Sequence, residues 1–140
     1  MAGSSIPSQT AGPLSGQPPP RKRILVADDD PAISRLLERI LGQEFDVYTA
    51  SDGRAALTLA GQINPHLLVL DVMMPALDGF AVAAQVRLVP HLKNVPIIFL
   101  TARDNALDTI KGIQAGARHY ITKPFKIDDV TSKVRKTLNP

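Results

Sequence analysis

Five polar side chains that could take part in phosphoryl or metal chemistry follow short apolar or β-branched runs in this 140-residue chain. Such runs are typical of strands in a parallel sheet that is covered on both faces. The carboxyl ends of parallel strands lie at one edge of the sheet, where open α/β proteins bind their ligands. Side chains that directly follow these runs can therefore meet, although they are far apart in the chain. The five residues are Asp28, Asp29, Asp71, Thr101 and Lys123.

The three carboxylates of this set need a cation if they share one cleft, because like charges repel. Oxygen ligands without histidine or cysteine favour magnesium or manganese. A carboxylate can also attack phosphorus and form an aspartyl phosphate, whose oxygens then need an ammonium and a hydroxyl group nearby. Lys123 and Thr101 supply these two groups. The set is therefore complete for phosphoryl transfer to an aspartate.

Five strands and five helices are predicted to alternate along the chain. Continuous apolar runs distinguish the strands, and apolar residues at helical spacing distinguish the helices. Strict alternation predicts a parallel sheet with helices on both faces, and the second strand, which carries no polar group at its end, is expected at the sheet edge. The predicted strands cover residues 24–27, 45–50, 67–71, 97–101 and 119–122, and the predicted helices cover about 31–41, 52–62, 80–89, 104–115 and 127–138.

The first part of the chain differs in composition from the rest. It is rich in Ser, Gly, Gln and Pro, and it has too few large aliphatic residues to offset the entropy of ordering. We expect residues 1–21 to form a disordered tail and residues 22–140 to form one domain. The sequence has no cysteine, no signal-peptide pattern and no apolar run of the ~20 residues that a membrane span needs. These features indicate a cytoplasmic protein without a membrane partner.

The net charge of +3 comes from one short basic cluster. Arg21, Lys22 and Arg23 end a segment without acids, and the remainder of the chain has as many basic as acidic residues. Nucleic-acid binding requires a basic face together with a reading element, and we find no helix-turn-helix or zinc-finger pattern. We therefore predict no direct nucleic-acid partner.

Four motifs together resemble the receiver domain of response regulators, of the chemotaxis-regulator type. They occur in the order and spacing of that family and span about residues 22–138. The resemblance implies a flavodoxin-like α/β fold, with five parallel strands in the order 2-1-3-4-5 and five helices on both faces of the sheet. The motifs are ILVADDDP, LLVLDVMMPALDGF, PIIFLTA and GARHYITKPF.

The resemblance also implies a role for each polar residue at the strand ends. Asp71 matches the phosphoacceptor, and Asp28 and Asp29 match the metal-binding acids, of which Asp29 is the expected direct ligand. Thr101 and Lys123 match the hydroxyl and ammonium groups that contact the phosphoryl group. Further implied features are a metal-binding backbone carbonyl at Met73, an aromatic switch at Tyr120 and a cis peptide between Lys123 and Pro124.

The implied function is a phosphorylation-activated switch in a two-component phosphorelay. A histidine kinase, a phosphotransfer protein or a small phosphodonor would phosphorylate Asp71 with Mg²⁺, or with Mn²⁺ in its place. The domain would assist its own phosphorylation and dephosphorylation without being an enzyme in the usual sense. Rearrangement of Thr101 and Tyr120 would then change the surface of the fourth helix, fifth strand and last helix, and so control a protein partner.

Two further features bear on assembly. The chain ends at Pro140, which leaves a stand-alone regulator and a fragment of a longer protein as alternatives. Arg118 and His119 stand where receivers of winged-helix transcription factors usually carry acids for a charged dimer face. We therefore expect a monomer or a weak dimer.

Several residues have other interpretations, which the sequence leaves open. Asp30 is expected to cap a helix rather than to bind metal. The pair Asp28-x-Asp30 also resembles the motif of haloacid-dehalogenase phosphatases, although Ala32 stands where that motif has Thr or Val. A receiver-like interaction module without phosphorylation is a third alternative. No ligand role is expected for the side chains of His66, His91 and His119, and the side chains of Met73 and Met74 are expected to pack.

Overall fold

The computed structural model describes residues 20–102, 111, 114 and 116–139. Most of the predicted tail, up to residue 19, and most of the predicted helix at 104–115 lie outside these residues. The strands are β1 (Arg23–Ala27), β2 (Asp46–Ala50), β3 (Leu67–Asp71), β4 (Ile97–Ala102) and β5 (His119–Lys123), and the helices are α1 (Pro31–Leu41), α2 (Gly53–Ile63), α3 (Gly79–Arg87) and the C-terminal helix (Ile127–Leu138).

The five strands form one parallel sheet in the predicted order β2-β1-β3-β4-β5. β3 occupies the centre, and its residues Leu67–Leu70 are 0% exposed. A parallel strand that is covered on both faces is expected to be continuously apolar, which explains the run LLVL. Each of these side chains contributes about 1.5–3 kcal/mol by leaving water. The most deeply buried part of the sheet therefore leads directly to Asp71.

Two apolar layers cover the two faces of the sheet. Alternate strand residues enter opposite layers, so that Leu25 and Phe99 lie beneath α2 and α3, whereas Val26 and Ile98 lie beneath α1 and the C-terminal helix. Within the residues that the structure describes, no helix has both the length and the hydrophobicity needed to cross a membrane.

Aspartate side chains begin three of the helices. Asp30, Asp52 and Asp78 each accept a hydrogen bond from a backbone N–H of the first turn, at distances of 2.7–2.9 Å. An aspartate at this position satisfies a donor that the helix itself leaves without a partner. Asp30 is therefore a helix cap, as predicted, and its carboxylate accepts from the N–H of Ala32.

The basic cluster at the start of the domain contacts the ends of three helices. Each of its side chains donates a hydrogen bond to a carbonyl group at the C-terminal end of a different helix. Helix C-termini carry unsatisfied carbonyls and a partial negative charge, which basic side chains stabilise. The cluster therefore has a structural role that its composition did not reveal. The pairs are Arg21 with Gly42, Lys22 with Leu138, and Arg23 with Ile63 and Asn64.

The turn between β3 and α3 passes close to the end of the central strand. The N–H of Gly79 donates to the carbonyl of Val72 at 2.9 Å. A Cβ atom at position 79 would lie 2.4 Å from the carbonyl oxygen of Asp71, so this approach requires glycine. Asp78 and Gly79 therefore fix the start of α3 against the strand end that carries Asp71.

Candidate functional site

Three carboxylates meet at the carboxyl end of the sheet. One oxygen from each of Asp28, Asp29 and Asp71 lies within 4.8 Å of the other two. Asp28 and Asp71 are 1% and 5% exposed, whereas Asp29 is exposed. The strand order explains this meeting, because β1 and β3 are neighbours and Ala27 lies opposite Leu70. The acid cluster predicted from the strand ends is therefore present in the fold.

Lys123 reaches both buried carboxylates of this cluster. Its Nζ atom lies 2.8 Å from Oδ2 of Asp28 and 3.3 Å from Oδ1 of Asp71. The three residues belong to the same face of the sheet, because strand residues alternate between faces. The peptide between Lys123 and Pro124 is cis, as predicted. The residues that precede the three on that face are Val26, Val69 and Ile121.

Thr101 and Tyr120 belong to the opposite face of the sheet. Thr101 is 2% exposed and lies two residues after Phe99 on β4. Tyr120 is the direct neighbour of Phe99 on β5, and the two rings stack with 6.3 Å between their centroids. The hydroxyl oxygen of Tyr120 is inaccessible to solvent and has no hydrogen-bond partner among the described residues. The ring of Tyr120 is therefore turned into the protein.

Burial disfavours the ionised forms of Asp71 and Lys123, and the attraction between these two groups favours them. Burial raises the pKa of the Asp71 carboxyl to about 6, and the Asp28 carboxylate acts in the same direction. Lys123 and the backbone N–H of Met73, which donates to Asp71, act to lower it. Burial would lower the pKa of Lys123, but its interactions with Asp28 and Asp71 outweigh that effect and raise it. At neutral pH the site therefore holds an ammonium group and an Asp71 carboxylate that is costly to ionise.

The donor set of the acid cluster fits a divalent cation. Three carboxylates face one ammonium group, so the cluster carries excess negative charge. Asp28 is held in place by the N–H of Asp30, which donates to its Oδ1 at 2.9 Å. A cavity of about 300 Å³ is lined in part by Asp28 and Asp29. A hard cation with oxygen ligands, such as Mg²⁺, matches these groups.

Met73 and Met74 occupy different environments in the turn after β3. Met74 is buried in the layer beneath α2 and α3, as predicted. Met73 is 70% exposed, so the prediction that its side chain packs is wrong. The reason is that the chain has left the sheet after Asp71 and carries this side chain into solvent. The implied role of the Met73 carbonyl toward a metal stays a prediction.

The histidines lie away from the acid cluster, but one of them has a structural role that the sequence did not reveal. Nδ1 of His66 accepts a hydrogen bond from the N–H of Arg23 at 2.9 Å, and the N–H of His66 donates to the carbonyl of Arg23. This pairing extends the contact between β1 and β3, and only the strand order brings positions 23 and 66 together. His91 is exposed. The pKa of His119 is lowered, chiefly by burial and to a smaller extent by the positive charge of Lys133.

The fold and the position of the acid cluster are those of a receiver domain. The chain belongs to the response regulator receiver domain family, whose model matches residues 24–135. This match covers the five strands except Arg23, the first residue of β1, and most of the C-terminal helix. The receiver domain inferred from the four sequence motifs is therefore confirmed.

Known relatives include regulators of transcription and signalling proteins. The DNA-binding response regulator MtrA of Mycolicibacterium smegmatis is 39% identical over 119 residues, which cover 84% of this chain and 51% of MtrA. Chemotaxis protein CheY4 of Vibrio cholerae has a TM-score of 0.80 and 28% identity, covering 84% of this chain and 99% of its own. The receiver domain of sensor histidine kinase PA1611 from Pseudomonas aeruginosa PAO1, solved with magnesium in its active site cleft, has a TM-score of 0.79 and 27% identity, covering 86% and 99%.

The relatives also correct one prediction. The chain spans about half the length of the curated relatives it matches, and MtrA is a DNA-binding protein. The prediction that nucleic acid is excluded as a partner is therefore wrong. Its basis was the lack of a reading element within these 140 residues, and such a lack says nothing about the remaining half of a relative.

Proposed function

We propose that this chain is a phosphorylation-activated switch whose Asp71 accepts a phosphoryl group from a sensor histidine kinase or a phosphotransfer protein. The observation that supports this most strongly is the position of Asp71. Its buried carboxylate stands at the end of the central strand, lies 3.3 Å from the Lys123 ammonium group and shares its site with Asp28 and Asp29. An ion pair that only stabilised the fold would need one of these acids, whereas three of them create a site for a cation and a phosphoryl group.

Transfer requires a nucleophile and neutralisation of the phosphoryl charge. An oxygen of Asp71 forms the new P–O bond, while the P–N bond of the phosphohistidine breaks and its electron pair stays on the imidazole nitrogen. Lys123 supplies a positive charge beside the Asp71 oxygen, and Thr101 supplies a hydroxyl group at the neighbouring strand end. Bound Mg²⁺ or Mn²⁺ supplies further neutralisation of the phosphoryl oxygens, and the residues that would hold it are Asp28, Asp29, Asp71 and, through its carbonyl, Met73.

The same groups assist hydrolysis of the aspartyl phosphate. Attack by water breaks the P–O bond and returns the Asp71 carboxylate and inorganic phosphate. Since Lys123 stabilises charge on the phosphoryl oxygens in both directions, the domain assists its own phosphorylation and dephosphorylation. It acts on itself rather than on a separate substrate, which makes it a switch.

Phosphorylation changes the domain by shifting a population between two packings. Thr101 moves toward the phosphoryl group, and Tyr120 occupies the inward position that it has in this structure. Tyr120 lies on β5, next to the C-terminal helix in the chain. The resulting change at β5, the C-terminal helix and the predicted helix at 104–115 alters the surface that a partner contacts.

DNA is the proposed final target of the signal in the complete regulator. MtrA, with 39% identity, is a DNA-binding response regulator, and about half of its length lies outside the matched region. The surface that changes on phosphorylation would therefore act on another protein segment, which in turn contacts DNA.

Intact-mass measurement after incubation with acetyl phosphate and MgCl₂ tests the proposal. We expect one phosphoryl adduct, labile to hydroxylamine as an acyl phosphate is, that is absent in Asp71→Asn. Asp78→Asn is the matched control, because it removes an exposed acid of the same turn.

Three results would contradict the proposal. An adduct that persists in Asp71→Asn would place the phosphoryl group elsewhere. Failure to form an adduct with acetyl phosphate or phosphoramidate would favour an interaction module without phosphorylation. Rapid turnover of a phosphomonoester that depends on Asp28 would favour the phosphatase alternative.

A further inference from the structure

Three aromatic rings form a continuous row across the face of the sheet opposite the acid cluster. The rings of Phe80 and Phe99 lie 4.9 Å apart at 58°, and those of Phe99 and Tyr120 lie 6.3 Å apart at 24°. Both separations fall within the range in which aromatic pairs attract each other through tilted or offset stacked contacts. The middle ring, that of Phe99, is 0% exposed. We call Phe80, Phe99 and Tyr120 the aromatic row.

Strand register explains the position of the row. Phe99 of β4 lies opposite Leu70 of β3 on one side and opposite Tyr120 of β5 on the other. It also shares its face of the sheet with Thr101, two residues further along β4. The row therefore runs beside Thr101 but does not contain it.

One end of the row is tied to the strand end that carries Asp71. Phe80 is the second residue of α3 and follows Gly79, whose N–H bonds to the carbonyl of Val72 and whose Cα lies close to the carbonyl of Asp71. A displacement of the turn after Asp71 would therefore move the ring of Phe80. That ring contacts Phe99, which contacts Tyr120.

The other end of the row holds Tyr120 in an environment that does not favour its hydroxyl group. The hydroxyl oxygen is inaccessible and has no partner in the described part of the chain. An unpartnered buried polar atom disfavours the inward position, so contacts of the ring must compensate. The stacked ring of Phe99 is such a contact.

We propose that Phe99 is a positioning residue that keeps Tyr120 inward, and that the aromatic row couples the turn after Asp71 to β5 independently of the Thr101 hydroxyl. This inference rests on the proposed function only in taking phosphorylation of Asp71 as the trigger. The position of Tyr120 without any phosphoryl group depends on the row alone.

Tyrosine fluorescence measures the position of Tyr120 directly. The chain has no tryptophan and two tyrosines. In a Tyr48→Phe background, Tyr120 is therefore the only residue whose fluorescence exceeds the weak emission of phenylalanine. Acrylamide quenching then reports its exposure, with and without beryllofluoride and MgCl₂ as a phosphoryl mimic. Phe99→Leu removes the stacking ring, and Leu100→Val, a buried substitution on the other face of β4, controls for general destabilisation.

We expect Phe99→Leu to increase quenching of Tyr120 about two- to threefold and to weaken beryllofluoride binding about three- to tenfold, as loss of an aromatic pair implies. Leu100→Val is expected to change neither quantity. The effects of Phe99→Leu and Thr101→Ala on beryllofluoride affinity are expected to be additive, because the two routes are independent. If Phe99→Leu does not fold, Phe80→Leu tests the same row from its half-buried end.

Quenching and affinity equal to those of Leu100→Val would show that Phe99 only fills the core and would overturn the inference. Loss of the Phe99→Leu effect in a Thr101→Ala background would overturn the independent route. If no variant, including Tyr48→Phe alone, binds beryllofluoride, the proposed function fails, while the quenching comparison still decides the role of Phe99.

Discussion

At the scale of single residues, Asp71 is buried beside another carboxylate, and both effects disfavour its ionised form. Its pKa of about 6 in the folded protein lies above the ordinary value of 3.8. Between these values the folded protein binds more protons than the unfolded chain, so stability falls as the pH rises through this window. At neutral pH the domain therefore carries a charge that reduces its stability and that phosphoryl transfer requires.

Asp71→Asn is expected to stabilise the domain by about 1–2 kcal/mol near pH 7.5, because it removes this charge at nearly constant shape. The gain should shrink toward pH 4, where the wild-type carboxyl is protonated in the folded state. Urea denaturation of both proteins in EDTA at several pH values measures the difference. A variant less stable than the wild type near pH 7.5 would mean that the Lys123 interaction outweighs the cost of burying the charge.

The sequence was sufficient to predict which residues would be near each other at the site, but not how deeply each would be buried. Asp28, Asp71 and Lys123 could be predicted because each stands at the carboxyl end of a strand, and parallel strands end at one edge. The exposure of Asp29 and Met73 depends on the path of loops after those strands. The pairing of His66 with Arg23 depends on the neighbour relation of β1 and β3, which local patterns do not contain.

At the scale of secondary structure, the bounds of the described helices were predictable, but the side-chain contacts at their C-terminal ends were not. A helix start depends on a capping side chain within three residues, such as Asp30 or Asp52, and this is visible locally. The helix ends are contacted by Arg21, Lys22 and Arg23, which are distant in the chain. Lys22 lies 116 residues from its partner Leu138. The predicted helix at 104–115 lies mostly outside the described residues and stays a prediction.

Arg23→Met is expected to destabilise the domain by about 1–2 kcal/mol, because two carbonyls at the end of α2 lose a charged donor. The donor atoms are Nε, 2.7 Å from the Ile63 oxygen, and Nη2, 3.0 Å from the Asn64 oxygen. Urea denaturation measures the change. The matched control is Arg54→Met, which removes an exposed arginine from the first turn of the same helix. Equal losses in the two variants would contradict a capping role for Arg23.

At the scale of the whole molecule, cation binding at the acid cluster is linked to folding. A cation that binds only the folded state stabilises it. Magnesium at ten times its Kd is expected to add about 1.4 kcal/mol to the free energy of unfolding, and Asp29→Asn is expected to lose this gain. Thermal denaturation with MgCl₂, compared with NaCl at equal ionic strength, measures the effect. An equal gain from both salts would contradict a specific site.

The fold class of the molecule could be predicted, because strict alternation of strands and helices permits few topologies, and the strand order followed from the resemblance to receiver domains. The partner could not be predicted. DNA binding in a relative such as MtrA is a property of a protein about twice as long as the matched region. The charge and motifs of these 140 residues therefore carry no information about it.

The central claim is that Asp71 itself carries the phosphoryl group, and chemical mapping tests this most directly. Protein treated with acetyl phosphate and MgCl₂ is reduced with borohydride, which converts an aspartyl phosphate to homoserine, and is then digested and sequenced by mass spectrometry. The predicted result is homoserine at position 71. Its formation is expected to require both acetyl phosphate and MgCl₂ and to be suppressed in Lys123→Met. Homoserine at Asp28 or Asp29 instead, or at no position, would contradict the account.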